Sequence, residues 1–249
     1  MARILVLWGI VATGGLSLAV FAVFLLAGTY IESPSRTGLM EALLWDGLLC
    51  GLFFVQHSLM VRRGFRSQLA RWIAPAFHGL LYTACASAAL VALVGLWLPT
   101  GVVLFDVTGP VKWLVWAAFG LSGAGMLWVM PKGAAGALLG YHAAVAHLRS
   151  RADSPIPLFT KGAYRWVRHP LYLLTLAMLW ASPRLTADRL VLDVLFTLWV
   201  VLGIRWEERD LLHGYGEAYA QYRRQVPMLL PWRCPSTARV PRGVRPRTR

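Results

Sequence analysis

The chain has 249 residues, of which 57% are hydrophobic and only 14% charged, with a mean hydropathy of +0.56. A soluble domain of this length needs more polar surface than that, so the composition excludes an ordinary soluble enzyme. The formal charge of +14 does not indicate a nucleic-acid partner, because the basic residues are gathered between apolar runs, where membrane proteins carry them.

Apolar runs long enough to cross a hydrocarbon core of roughly 30 Å occur at 4–28, 39–61, 73–98, 111–131, 170–182 and 187–206. The first is too long for a signal peptide's apolar region and lacks an A-x-A site, so it reads as an anchor. The fifth is short and must tilt, begin before Pro170 or cross thinned lipid. The expectation is therefore an all-α, polytopic integral membrane protein with about six transmembrane helices and a C-terminal interfacial helix. Residues 1–131 form a four-helix transmembrane region. Residues 132–232 supply a loop, a helical hairpin and the interfacial helix, and 233–249 form a basic disordered tail.

Six spans with both termini in the cytosol put all but four of the 25 lysines and arginines on one side. The exceptions are Arg36, Lys112, Arg184 and Arg189. This distribution is the one expected of a multi-pass membrane protein. The tail and interfacial helix would then meet anionic membrane lipids.

Several polar or small residues within the spans read as structural. Asp46 suits a buried hydrogen bond, on the opposite side from the site proposed below. "GLSGAG" (120–125) lacks a preceding strand and reads as helix packing rather than a dinucleotide loop. Cys50, Cys85 and Cys234 form no CxxC pattern, and the first two pack as small apolar residues. His142 and His147 are five apart, which does not suit two helix-borne metal ligands, and no metal site is proposed.

The chemistry gathers in two motifs that this topology brings to one depth. "RWVRHPLYLL" (165–174) opens the fifth span with Pro170 at the first helical position and His169 near the N-cap. The helix dipole and the Arg168 guanidinium favour an anion there, whereas Arg165 reads as a headgroup anchor. Opposite lie Glu207 and Glu208, at the end of the sixth span. A carboxylate-binding end beside an ammonium-binding end suits an amino-acid ligand such as the head group of S-adenosyl-L-methionine. After them, Leu211, Leu212, Tyr215, Tyr219 and Tyr222 fall near helical spacing, the mark of an interfacial helix with a tyrosine-rich face.

Together these residues resemble a known family. Gly162, Tyr164, Arg168, His169, Pro170 and Tyr172 match G-x-Y-x-x-x-R-H-P-x-Y. Glu207, Glu208 and Leu211 match E-E-x-x-L, followed by Gly216, Tyr219, Tyr222 and "VPMLLP". The pattern resembles the isoprenylcysteine carboxyl methyltransferase-like family of integral membrane methyltransferases. With "FVQHSLMVRRGFR" (54–66) it looks closer still to the methanethiol S-methyltransferase branch, which overlaps with NnrU-like proteins. The resemblance implies S-adenosyl-L-methionine as cofactor and a small hydrophobic thiol, methanethiol, as acceptor, giving dimethyl sulfide. It implies that Leu158, Phe159, Tyr164, Arg168, His169, Pro170, Leu171, Tyr172, Glu207 and Glu208 hold the cofactor. Prenyl-cysteine enzymes carry a substrate arginine one turn before the glutamate. Gly203 stands there in this chain, and Arg205 is the nearest substitute for contact with substrate. His169, Tyr172 and Glu208 are the residues from which a base for the thiol would come. Two other readings stay open: a lipid or prenyl-cysteine acceptor, and a haem-binding NnrU-like isomerase using His57 and His78.

Overall fold

A computed structural model of the protein describes residues 2–28, 38–130, 134–151 and 158–234. The described residues are helical apart from one two-stranded ribbon. The expected tail lies almost wholly outside them. Helices α1 (Ala2–Ala27), α2 (Leu39–Val61) and α4 (His78–Gly95) carry apolar stretches long enough to cross a membrane. Between α2 and α4 lie the short helix α3 (Arg63–Leu69) and a 3-10 turn at Pro75–Phe77. Helix α5 (Gly109–Val129) has 21 residues. Helices α6 (Ala134–Leu138) and α7 (Tyr141–Leu148) follow.

Helix α8 (Pro170–Trp180) has 11 residues, about 16 Å at 1.5 Å per residue, roughly half a hydrocarbon core. It does not begin before Pro170. The preceding Gly162–Arg165 segment is a separate 3-10 turn. Helix α9 (Ala187–Tyr215) has 29 residues and outruns the expected sixth span by more than two turns. It stops where Gly216 takes φ +57°, a left-handed value that favours glycine. Helix α10 (Glu217–Gln225) follows, so the expected interfacial helix is this nine-residue piece.

The chain divides into two compact units. One comprises residues 1–112, 131–153 and 182–196. Its helices approach closely through small residues, as membrane helices do. A Cβ on Gly14 of α1 would lie 2.8 Å from Thr83 Cγ2 of α4, and Ser17 Oγ donates to Ser87 Oγ at 3.2 Å. Gly79, at the start of α4, meets Gly140, whose φ is +78°. Asp46 is fully buried and accepts the Leu98 N–H at 3.0 Å, the structural hydrogen bond expected of it. Asp188 accepts three hydrogen bonds, from Trp97 Nε1 and from the amide and hydroxyl of Thr100. Strands β1 (Val103–Asp106) and β2 (Arg184–Thr186) pair antiparallel, joining the connection after α4 to the one after α8.

The histidines of the isomerase reading make hydrogen bonds within this unit. Tyr82 Oη lies 2.6 Å from His57 Nε2, and His78 Nε2 lies 2.9 Å from the Ile73 carbonyl.

The second unit comprises residues 113–130, 154–181 and 197–249. Gly125, within "GLSGAG", packs against Leu174 of α8, 3.2 Å from where its Cβ would stand. That contact is the expected helix packing at one of the three glycines; Gly120 and Gly123 have open space at their Cβ positions. Trp180 Nε1 donates to Thr197 Oγ1 and ties α8 to α9.

Candidate functional site

The second unit brings Arg168, His169, Glu207 and Glu208 together. His169 is the N-cap residue of α8 and Pro170 its first helical residue, where a missing N–H costs nothing. On α9, Val200, Ile204 and Glu208 form a buried stripe at four-residue spacing, which aims Glu208 inward. Leu198, Leu202, Arg205 and Arg209 lie on the exposed side. Arg205 is therefore not brought to the cluster. Gly203, where prenyl-cysteine enzymes carry arginine, has open space around its Cβ position.

The two glutamates differ sharply. Glu208 accepts Arg168 Nε at 2.7 Å and Nη2 at 2.6 Å, both on Oε1. His169 Nε2 lies 3.3 Å from the same oxygen. Burial pushes the Glu208 carboxyl up, but hydrogen bonds from His169 and Arg168 and the arginine charge outweigh it. The carboxyl therefore titrates below its ordinary value. Glu207 has no such partners. Its Oε2 is buried without a hydrogen bond, 3.9 Å from His169 Nδ1, while the side chain as a whole stays 43% exposed. A buried carboxylate oxygen left unpaired is costly unless a ligand completes it.

Arg168 is fully engaged within the protein. Nη1 donates to the carbonyls of Arg223 (3.0 Å) and Val226 (2.5 Å). The amides of Arg168 and His169 donate to the carbonyls of Pro227 and Met228. These acceptors are the part of the site that side-chain reasoning did not find. "VPMLLP" is a legible motif, but what it contributes here is backbone oxygen.

Aromatic residues surround the charges. Tyr219, Tyr222 and Val226 form a buried cluster with Leu158, Leu211 and Tyr215 packed on it. The tyrosine face of α10 is thus turned into protein. Tyr222 Oη donates to the Tyr164 carbonyl at 2.7 Å. Phe159 is exposed, its ring 6.4 Å from that of Tyr164. Tyr172 lies against His169 with ring centroids 5.6 Å apart. Pro170 is buried and Leu171 half-buried beside them. Burial raises the phenols of Tyr164, Tyr219 and Tyr222 above their ordinary value, and the carboxylates nearby add to it. These tyrosines stay protonated at neutral pH.

The chain is 35% identical to a methanethiol S-methyltransferase of Mycobacterium tuberculosis over 193 residues, 77% of this chain and 79% of the relative. It is 31% identical to methanethiol S-methyltransferase 1 of Bradyrhizobium diazoefficiens over 218 residues, 86% of this chain and 75% of that one. Nurim of Mus musculus is 30% identical over 193 residues, 73% and 72% of the two chains. No protein-family model and no solved structure matches. With identities of 31% and 35% that span three quarters or more of both partners in each pair, the chain belongs to the methanethiol S-methyltransferase family.

Proposed function

We propose that the protein is a membrane S-methyltransferase that takes a methyl group from S-adenosyl-L-methionine and gives it to a small hydrophobic thiol, methanethiol, forming dimethyl sulfide. The observation that carries this reading is the similarity to methanethiol S-methyltransferases along most of the chain. Residues of the second unit fit the donor. Glu207 offers an unpaired buried oxygen to an ammonium or hydroxyl group. Aromatic faces at Tyr164, Tyr172 and Phe159 suit a flat base and a sulfonium cation. His169, Pro170, Leu171 and Leu158 complete the set.

When bound, S-adenosyl-L-methionine supplies an electrophilic methyl group, which the thiol sulfur takes in line while the thiol's proton leaves and S-adenosylhomocysteine remains. The protein's part is alignment and exclusion of water. Both ring nitrogens of His169 face carboxylate oxygens, Glu208 on one side and Glu207 on the other. The ring is therefore held between the two carboxylates, and the thiol comes to the site as thiolate or gives its proton to a base or water there. A volatile apolar acceptor reaches such a site through the lipid, which accounts for a membrane enzyme.

We also propose six spans in a bacterial cytoplasmic membrane with both termini in the cytosol. The β1–β2 pairing supports this: the two connections it joins are both ones that this orientation places outside. Basic loops and the tail would face anionic lipid headgroups. To test the acceptor, purified protein is given donor labelled in the methyl group together with thiols, lipid amines and carboxylates. Label should pass to small thiols. Transfer only to lipids or carboxylates would overturn the proposal.

A further inference from the structure

The geometry points to Arg168 and Glu208 as positioning residues, a buried clamp that fastens the segment after α10 to the entry of α8 and so holds His169 and Glu207 in place. The inference rests on the reading above that His169 and Glu207 serve the donor.

Five observations meet in it. The guanidinium is 9% exposed and the Glu208 side chain 11%, and they pair at 2.6 Å. All three guanidinium nitrogens are engaged with protein acceptors. Two of those acceptors are main-chain carbonyls, of Arg223 in the last turn of α10 and of Val226 just after it. The amides of Arg168 and His169 continue the attachment to Pro227 and Met228. The same Glu208 oxygen faces His169 Nε2, so the clamp also sets the ring whose other nitrogen faces Glu207.

A guanidinium so placed has no fork to offer a ligand carboxylate. A planar, multiply donating group is what the position requires, since one cation must satisfy a carboxylate and two carbonyls at once. Lysine has one nitrogen and cannot reach all three. Neutralising Glu208 leaves the arginine buried without a counter-charge. Either change should free the segment around Arg223–Met228.

Trypsin reads that release directly. Arg223 and Arg224 are exposed, but the Arg223 carbonyl, part of the bond trypsin would cut, is held by Arg168 Nη1. Full-length protein in detergent is digested as wild type, Arg168→Lys, Glu208→Gln and Glu207→Gln. Mass spectrometry follows cleavage after Arg223 and Arg224, and calorimetry follows binding of S-adenosylhomocysteine. Glu208→Asp stands in if Glu208→Gln does not fold. The clamp variants should be cut about tenfold faster, because local opening controls cleavage, and should bind more weakly. Glu207→Gln should lose affinity with cleavage unchanged. Clamp variants that lose affinity without faster cleavage would make these residues direct ligand contacts, and variants unchanged in both would remove the clamp altogether. Either result overturns the inference. If wild-type protein binds no S-adenosylhomocysteine, the donor reading fails by itself, and cleavage still decides whether the clamp exists.

Discussion

Glu208 Oε1 receives both Nε and Nη2 of Arg168, at 2.7 and 2.6 Å, so a buried carboxylate and a buried guanidinium satisfy one another across 40 residues of sequence. The adjacent Glu207 has one buried oxygen and no hydrogen bond to it. Two neighbours of the same residue type therefore differ, one paired with a buried guanidinium and one with a buried oxygen that makes no hydrogen bond.

The division predicts opposite mutational signatures. Glu208→Gln should destabilise the protein by about 2 kcal/mol, since it leaves Arg168 buried without a full counter-charge. Glu207→Gln should shift stability by less than about 0.5 kcal/mol while weakening binding of S-adenosylhomocysteine. Thermal unfolding in detergent and calorimetry on the same samples check both.

A pH dependence follows from Glu208. Its carboxyl titrates below the ordinary 4.5 because hydrogen bonds and charge from His169 and Arg168 outweigh burial. A depressed folded-state value means stabilisation that is complete above about pH 5 and lost as pH falls through the folded value. Melting temperature should decline on the acid side of pH 4.5, and Glu208→Gln should flatten that decline. An identical acid limb in the variant would contradict the assignment.

Much of this was legible in the sequence, and the reasons are physical. Apolar length gave α1, α2 and α4, because a bilayer demands runs of one size. Proline's missing N–H put the start of α8 at Pro170. The E-E and R-H-P motifs carry opposite charges that the topology brings to one depth. The division of labour between Glu207 and Glu208 was not legible, because it depends on which face of α9 is buried. The Arg223 and Val226 carbonyls that Arg168 also meets are not legible, because carbonyls exist at every residue and leave no mark in side-chain pattern. The sixth span reads as ending at Trp206 because charges follow it, yet the helix continues past them until Gly216 breaks it.

Gly140 carries a third prediction. Its φ of +78° disfavours any side chain, and a Cβ there would clash with the Gly79 backbone. Gly140→Ala should cost more than about 2 kcal/mol. Thermal unfolding should show it, with Gly120→Ala, whose Cβ position is open, as the tolerated control.

Asp188 carries a fourth. It is 5% exposed and accepts from Trp97 Nε1 at 3.1 Å and from Thr100 Oγ1 at 2.6 Å. Asp188→Ala strands these donors, at a cost of about 3 kcal/mol. The loss should appear as a lower unfolding midpoint and a higher trypsin sensitivity.

The most direct test of the central claim is gas chromatography of dimethyl sulfide above purified protein given S-adenosyl-L-methionine and methanethiol. Dimethyl sulfide should accumulate in proportion to wild-type protein and fall by about tenfold or more with Glu207→Gln, as expected when a charged contact to the donor is lost. Protein that binds S-adenosylhomocysteine yet forms no dimethyl sulfide would contradict the claim.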